Sequence, residues 1–381
     1  MICTRTGFRV YDIEDIYPSA PLQEALVALS ILTPGSYTTD HVYQIPADLD
    51  IPRFKAAWEA TVAAHAVLRT QFTLGDNSRI LQVVLKEQPL DWTEDTARPL
   101  LEFAYNAPLT RYSLYDVGTP NAKFVWTIHH SLADGWAFEL ITADVASAYR
   151  HGASTLLQTP HTPYSCFIHY LQNVNMEQSL DFWRSNLDSY VPVDFPPVKS
   201  SPQERDHETA DSKTIIRTVR LSLGAKGFTG ATLLRAAWAL LLSRAANTDD
   251  VCFGATVTGR MVPIPGIETM VGPTIQTLPT RMRVDPAMPV LEFLEGIQKG
   301  YIETIPHEHV GLQNIARLGE AAKAACAAKT MLVVQPPPGK EGDEEVVMKK
   351  VEAIFDASYA LALNCWQLNG MFSRASCKTR Y

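Results

Sequence analysis

The chain has no apolar run approaching the roughly 18 residues that a membrane helix needs, and no signal-like apolar core follows Met1-Ile2-Cys3-Thr4-Arg5. Neither a membrane-spanning role nor secretion is therefore expected. Clustered Lys and Arg are missing too. The formal net charge is −8, with 33 basic against 41 acidic residues, which argues against a nucleic-acid partner because phosphate binding demands a basic face. Cysteine is sparse: Cys3, Cys166, Cys252, Cys326, Cys365 and Cys377 lie apart, with no CxxC pair and no histidine at metal-ligand spacing. That pattern predicts free thiols in a reducing, cytoplasmic compartment, with neither disulfides nor a bound metal. No internal repeat is visible. What is present is a globular composition, 46% hydrophobic and 19% charged over 381 residues. That length exceeds one ordinary core, so two lobes are expected.

The chemistry concentrates in one stretch, Lys123-Phe124-Val125-Trp126-Thr127-Ile128-His129-His130-Ser131-Leu132-Ala133-Asp134-Gly135-Trp136. Its period-two alternation predicts a strand with Phe124, Trp126, Ile128 and His130 on one face and Val125, Thr127 and His129 on the other. Only one of the two histidines can then face a given cavity. Beyond it, Phe138, Ile141, Val145 and Ala148 recur at helical spacing, which predicts a helix ending near Gly152. Neutral imidazole is a base near pH 7, so a histidine at a strand end is suited to accept a proton or orient a nucleophile. Asp134-Gly135 adds a carboxylate able to cap the helix or pair with an arginine, and a position without a Cβ where backbone can approach a ligand. Taken singly, a strand-borne histidine and an Asp-Gly turn are more often structural. Their combination at fixed spacing is what points to a site.

The flanking pattern predicts a helix from near Pro21, a strand over 41–46, a helix from Ile51 to about Leu68, and strands at 71–73 and 79–85. An extended stretch over 101–115 precedes the central strand, and a helical region over 163–187 closes the first half. Residues 190–213 carry Pro192, Pro196, Pro197, Pro202 and the charged run 203–208, a composition suited to an inter-lobe connection. The expected division is a first lobe over 1–188, a connection over 189–213 and a second lobe over 214–381. In the second lobe the pattern predicts a strand over 214–223, a helix over 229–246 led by Thr229, a strand over 250–257 and a helix near 289–303. Strands at 331–335, 351–355 and 359–368 follow, with the charge run 340–345 as a solvated hairpin tip between the first two.

His129-His130-Ser131-Leu132-Ala133-Asp134-Gly135 resembles the HHxxxDG motif of nonribosomal peptide synthetase condensation domains, which lie within the chloramphenicol-acetyltransferase-like superfamily. Four further stretches agree in order and spacing. Tyr17-Pro18-Ser19-Ala20-Pro21-Leu22-Gln23-Glu24 resembles the opening motif in its fungal form, and His65-Ala66-Val67-Leu68-Arg69-Thr70 resembles the HxxLRT motif. Val271 to Arg281 resembles the motif near the latch between lobes, and Pro306-His307-Glu308-His309-Val310-Gly311-Leu312-Gln313 a late fungal motif.

The resemblance implies an α/β fold of two acetyltransferase-like lobes forming a V around an active-site tunnel. It also implies amide-bond formation between donor and acceptor thioesters carried on phosphopantetheine arms. By the same implication His130 is catalytic and projects into the tunnel, His129 and Gly135 support the motif, and Asp134 pairs with Arg69 as a clamp. Trp136 and Gln276 fall among the tunnel-lining positions. The implied partners are donor and acceptor carrier domains, with an adenylation domain of the same synthetase; no cofactor is held by the domain itself, and a monomer is expected.

Two alternatives stay open at this point. The tail from Asn369 does not resemble the family's ending, which leaves a truncated, inactive domain as one reading. Another acyltransferase or an epimerase of the superfamily is the second, although the DFGWG of plant-type acyl-CoA transferases is absent. His129 is retained where many fungal terminal cyclising domains depart from the double histidine, which favours an ordinary internal or stand-alone unit.

Overall fold

A computed structural model of the chain describes residues 7–96, 99–158, 161–193, 195–196, 213–217, 227–335, 347–354, 359–368 and 371–379. In chain order the fold begins β1 (Ile13–Pro18), α1 (Pro21–Leu32), β2 (Thr38–Gln44), α2 (Ile51–Ala64), β3 (Thr70–Leu74), β4 (Ile80–Leu85), β5 (Trp92–Glu94), β6 (Thr110–Tyr115) and β7 (Lys123–His129). It continues α3 (Gly135–His151), α4 (Ser154–Gln158), α5 (Tyr164–Asn173), α6 (Met176–Leu187), β8 (Lys213–Arg217), α7 (Gly230–Ala246), β9 (Asp250–Val257) and β10 (Gln276–Arg283). The last elements are α8 (Val290–Thr304), α9 (Leu312–Ile315), α10 (Glu320–Cys326), β11 (Thr330–Gln335), β12 (Lys349–Ile354), β13 (Leu361–Leu368) and β14 (Met371–Thr379).

These elements fall into two units, one of Met1–Val174, Pro263–Thr274 and Gly342–Asp356, the other of Asn175–Val262, Ile275–Glu341 and Ala357–Tyr381. The division differs from the expected lobes 1–188 and 214–381 in three places. The helical region 163–187 is two helices, because Asn175 caps α6 by accepting the Gln178 N–H at 3.0 Å. Trp183 and Leu187 of α6 are buried with Val257, Leu278, Val310 and Ile315 in the second unit. Residues 263–274 return to the first unit, and so does β12, which pairs antiparallel with β2. Local periodicity reports that a segment is a strand or helix, but it carries no information about which sheet the segment joins.

The first unit is built on the five-stranded sheet β12-β2-β7-β6-β5, with β1-β4-β3 as a smaller sheet. Strands β2 and β7 run antiparallel in register from Thr38 opposite His129 to Gln44 opposite Lys123. The alternation on β7 is realised: Phe124, Trp126 and Ile128 are fully buried. Phe54 and Trp58 of α2 pack on that face, with ring centroids 5.1 Å from Phe124 and 5.0 Å from Trp126 respectively. Burying each such ring stabilises the fold by about 2–3 kcal/mol, so the strand that delivers the histidines is anchored on a buried aromatic cluster.

The second unit is the six-stranded sheet β10-β9-β11-β13-β14-β8. Trp238 and Leu242 of α7 and Leu294 and Ile297 of α8 pack against Phe253 and Leu332. Thr229 caps α7, its hydroxyl accepting the Thr232 N–H at 3.1 Å, as the sequence predicts. The readable pattern ends at Leu368, yet residues 371–379 form β14, paired with β13 on one side and β8 on the other. In Met371-Phe372-Ser373-Arg374-Ala375-Ser376-Cys377-Lys378-Thr379 the apolar residues do not keep to one alternating face, so the strand does not announce itself. The hairpin tip expected over 340–345 lies outside the described residues. Among the described residues, no helix is long and apolar enough to cross a membrane.

Candidate active site

Strand β7 ends on His129, and the two histidines part there. His129 is fully buried, with Nε2 2.8 Å from Ser30 Oγ on α1 and Nδ1 2.7 Å from Ser131 Oγ. The Ser131 N–H also donates to Nδ1 at 3.2 Å, which makes Nδ1 an acceptor and leaves the ring proton on Nε2. Burial, together with the nearby His130, pushes the His129 imidazolium down to about 3, so this ring is neutral at physiological pH. It is a structural histidine that pins the turn to α1.

His130 lies one residue beyond the strand, and its N–H donates to the Tyr37 carbonyl at 2.8 Å, extending the β2–β7 pairing. Its half-buried ring faces Phe138 at 6.1 Å, and Phe138 in turn packs on Trp126 at 5.7 Å and on His41 at 4.4 Å. His130 is therefore on the Trp126 side, opposite His129. Burial, Lys350 and His130 together push His41 down to about 3.

Asp134 caps α3: Oδ1 accepts the Ala137 N–H at 2.9 Å. Its Oδ2 accepts the Thr274 N–H at 2.9 Å and lies 3.3 Å from the Thr274 hydroxyl. The expected clamp to Arg69 is corrected here. The Arg69 guanidinium instead bonds Glu14 Oε2 at 2.6 Å, the Leu85 and Lys86 carbonyls and, through Nε, the Val62 carbonyl at 3.2 Å. Opposite charges at motif positions invite a pairing, but the long arginine reaches β1 and β4, where buried carbonyls need donors. Asp134 remains a clamp, with a different partner.

Gly135 opens α3 and is exposed, and the half-buried Trp136 next to it donates from Nε1 to the Glu268 carbonyl at 2.9 Å. The segment 263–274 is thus tied down by Trp136, by Asp134 and by Tyr164, whose hydroxyl donates to the Pro273 carbonyl at 3.0 Å. Gly272 is required there: at φ +156° a Cβ would lie 2.2 Å from the Tyr164 ring. Gln276, the other expected tunnel residue, opens β10 of the second unit, opposite Val257 and buried.

One supporting residue has no assigned role in the sequence reading. Gln23 on α1 is fully buried, and its Nε2 donates to Gln82 Oε1 at 2.8 Å and to the Ser131 carbonyl at 2.9 Å. Its Oε1 accepts the Ala20 N–H at 2.9 Å, while Gln82 donates onward to the Pro18 carbonyl at 3.1 Å. Two buried amides thereby hold the turn immediately after His130. The signal available in sequence was only a glutamine within an otherwise apolar helical face.

A mixed sheet ending in paired histidines, an aspartate-capped helix after them and a second unit on its own mixed sheet make up a two-unit α/β fold. Solved structures share that fold. The starter condensation domain of rhizomide synthetase RzmA aligns with 96% of this chain and 91% of its own, at a TM-score of 0.73 and 16% identity. Holo T3CT aligns with 100% and 89%, at a TM-score of 0.73 and 19% identity. Residues 13–374 match the Condensation domain family, and the chain belongs to it. Among fungal relatives, AM-toxin synthetase AMT1 of Alternaria alternata is 35% identical over 97% of this chain. Malformin synthetase mlfA of Aspergillus homomorphus is 39% identical over 87%. The chain spans 9% and 7% of the lengths of these two relatives.

Proposed function

We propose that the chain joins a donor acyl or peptidyl thioester to the amine of an acceptor aminoacyl thioester, both carried on phosphopantetheine arms, in fungal nonribosomal peptide synthesis. The observation that carries this reading is His130, set just past β7 by the Tyr37 carbonyl and flanked by a neutral, buried His129 and a capped α3. The acceptor nitrogen bonds the donor carbonyl carbon, the carbon–sulfur bond breaks, and the proton lost by the amine ends on the departing thiol.

An α-amino group has a reference pKa of about 7.7–8.0, so a neutral fraction exists near pH 7 without a strong base. A thioester is already activated. Holding two tethered reactants together is worth up to about 7–11 kcal/mol, against roughly 100- to 10,000-fold from proton transfer. His130 accordingly positions the amine and takes up its proton, with positioning the larger part. The substrates reach the domain on donor and acceptor carrier proteins loaded by adenylation domains, in the cytoplasm, and no cofactor is needed by the reaction as written.

The test is incubation of the chain with two loaded carrier proteins, followed by mass spectrometry of the acceptor arm. The reading expects the acceptor to gain the donor acyl mass. An unchanged acceptor mass counts against condensation, and altered stereochemistry at unchanged mass would identify an epimerase.

A further inference from the structure

Away from His130, a second group of chemistry-bearing side chains meets in the first unit. His65 follows α2, Asp144 lies on α3, and His161 stands on the segment that leads into α5. Asp144 Oδ2 is 2.7 Å from His65 Nε2 and 3.1 Å from His161 Nε2, and the two imidazole rings are 4.6 Å apart. One ligand atom from each residue falls within 4.8 Å of the others. We propose that His65, Asp144 and His161 form a binding site for a divalent transition-metal ion of the Zn2+ type, with a fourth position left open to solvent.

Three features carry the proposal. The donor set is two imidazoles and one carboxylate, which suits Zn2+ and its first-row neighbours rather than Mg2+ or Ca2+, both of which prefer all-oxygen sites. The two spacings from Asp144 need little change: ligand atoms about 2.0–2.1 Å from a tetrahedral ion are about 3.3 Å apart, close to the 2.7 and 3.1 Å separations observed, and all three ligand atoms lie within 4.8 Å of one another.

The third feature is the orientation of His161. Its Nδ1 lies 3.0 Å from the Thr269 carbonyl, which can only accept, so Nδ1 carries a proton and Nε2 is the ring atom turned toward Asp144. Nε2 approaches Oδ2 without the alignment of a hydrogen bond. A metal-binding histidine typically donates its other ring N–H to a backbone carbonyl in this way.

Access is graded. The His65 side chain is 2% exposed, His161 13% and Asp144 16%, so an ion enters past the latter two and is held from beneath by the first. A site here would tie α2, α3 and the segment before α5 together, remote in sequence from any CxxC or HxxxH signature. The His65–Asp144 and Asp144–His161 separations in sequence are too long for spacing to reveal.

The test is calorimetric titration of the chelator-treated full chain with Zn2+ at pH 7.5, beside Asp144→Asn and His161→Gln. The expected result is one equivalent bound, with affinity at least about 100-fold weaker in each variant, and a rise in melting temperature on adding one equivalent that both variants lose. His161→Gln keeps the comparison valid if Asp144→Asn does not fold, because its side chain is on a connecting segment. Failure of the wild type to bind one equivalent, or equal affinity in wild type and His161→Gln, overturns the site and leaves the cluster a His–Asp–His ion clasp.

Discussion

Oδ2 of Asp134 accepts the backbone N–H of Thr274 at 2.9 Å, across 140 residues of sequence. The same carboxylate caps α3 through Ala137, so one side chain fixes both the helix after the paired histidines and the segment that returns to the first unit. Asp134→Ala removes a cap worth about 1 kcal/mol and deprives the buried Thr274 N–H of a partner, at about 1–3 kcal/mol. The urea midpoint is expected to fall by the equivalent of about 2–4 kcal/mol. Arg69 bonds Glu14 instead, so Asp134→Ala and Arg69→Met should destabilise additively within about 0.5 kcal/mol. A larger coupling energy would restore the direct pair.

His130→Ala should leave stability nearly unchanged, since the ring is half-buried and sits outside the strand. Amide formation on loaded carrier proteins is expected to drop by about 100- to 10,000-fold if proton removal is essential. His130→Gln separates the two roles: an amide can still hold the amine but cannot take its proton. Retention of most turnover by His130→Gln, with loss in His130→Ala, assigns the residue to positioning. Full turnover in both variants removes His130 from the site.

How much of this was legible in the sequence follows from what each signal reports. Caps and periodicity are local, so α7 behind Thr229, α3 ending at Gly152 with φ 91°, and β9 over Asp250–Val257 could be read directly. The faces of β7 followed from alternation alone. Partner choice is not local. Nothing in Lys349–Ile354 distinguishes a strand of the second lobe from one that crosses to β2, and nothing in Met176–Leu187 says which core takes Trp183. Arg69 illustrates the same limit at side-chain scale: its charge was evident, but its reach toward Glu14 and the Leu85 carbonyl depends on the packing of β1 and β4. Gln23 is the converse case, a polar residue to which the sequence assigns no role and which is fully buried because Gln82 and Ser131 satisfy it.

That buried pair makes its own prediction. Gln23→Leu leaves Gln82 Oε1, the Ser131 carbonyl and the Ala20 N–H without their present partner, an expected loss of about 2–4 kcal/mol. Replacing both amides with leucine removes the stranded Gln82 group, so the double variant should be less destabilised than the sum of the singles. Activity should fall in both, because the Ser131 carbonyl adjoins His130. Strict additivity in chemical denaturation would mean that the two glutamines act independently.

Acid sensitivity is expected to come largely from His41 and His129. Burial comes first among the causes for both, and each is pushed from 6.5 down to about 3, so both are neutral when folded and take up protons readily when unfolded. The unfolded state then binds more protons between pH 6.5 and 3. Stability therefore rises with pH across that window, is fully present above 6.5 and is lost as the pH falls. Between pH 7.5 and 5 each histidine accounts for about 2 kcal/mol. Other groups act elsewhere. Burial raises Asp144, but His161 and His65 outweigh it and hold the carboxyl at about 2. The Asp144 contribution is thus lost only below about pH 4, the ordinary carboxyl range. His161 is raised by Asp144, and its contribution declines only above 6.5. The ring nitrogens of His41 have no hydrogen-bond partner among the described residues, and the ring packs between Trp126 and Phe138. His41→Phe should therefore be tolerated at pH 7.5 and should reduce the pH dependence of the unfolding free energy between pH 6 and 5 by about one proton. An unchanged slope in that variant would show that His41 already carries its proton, or shares it, in the folded chain.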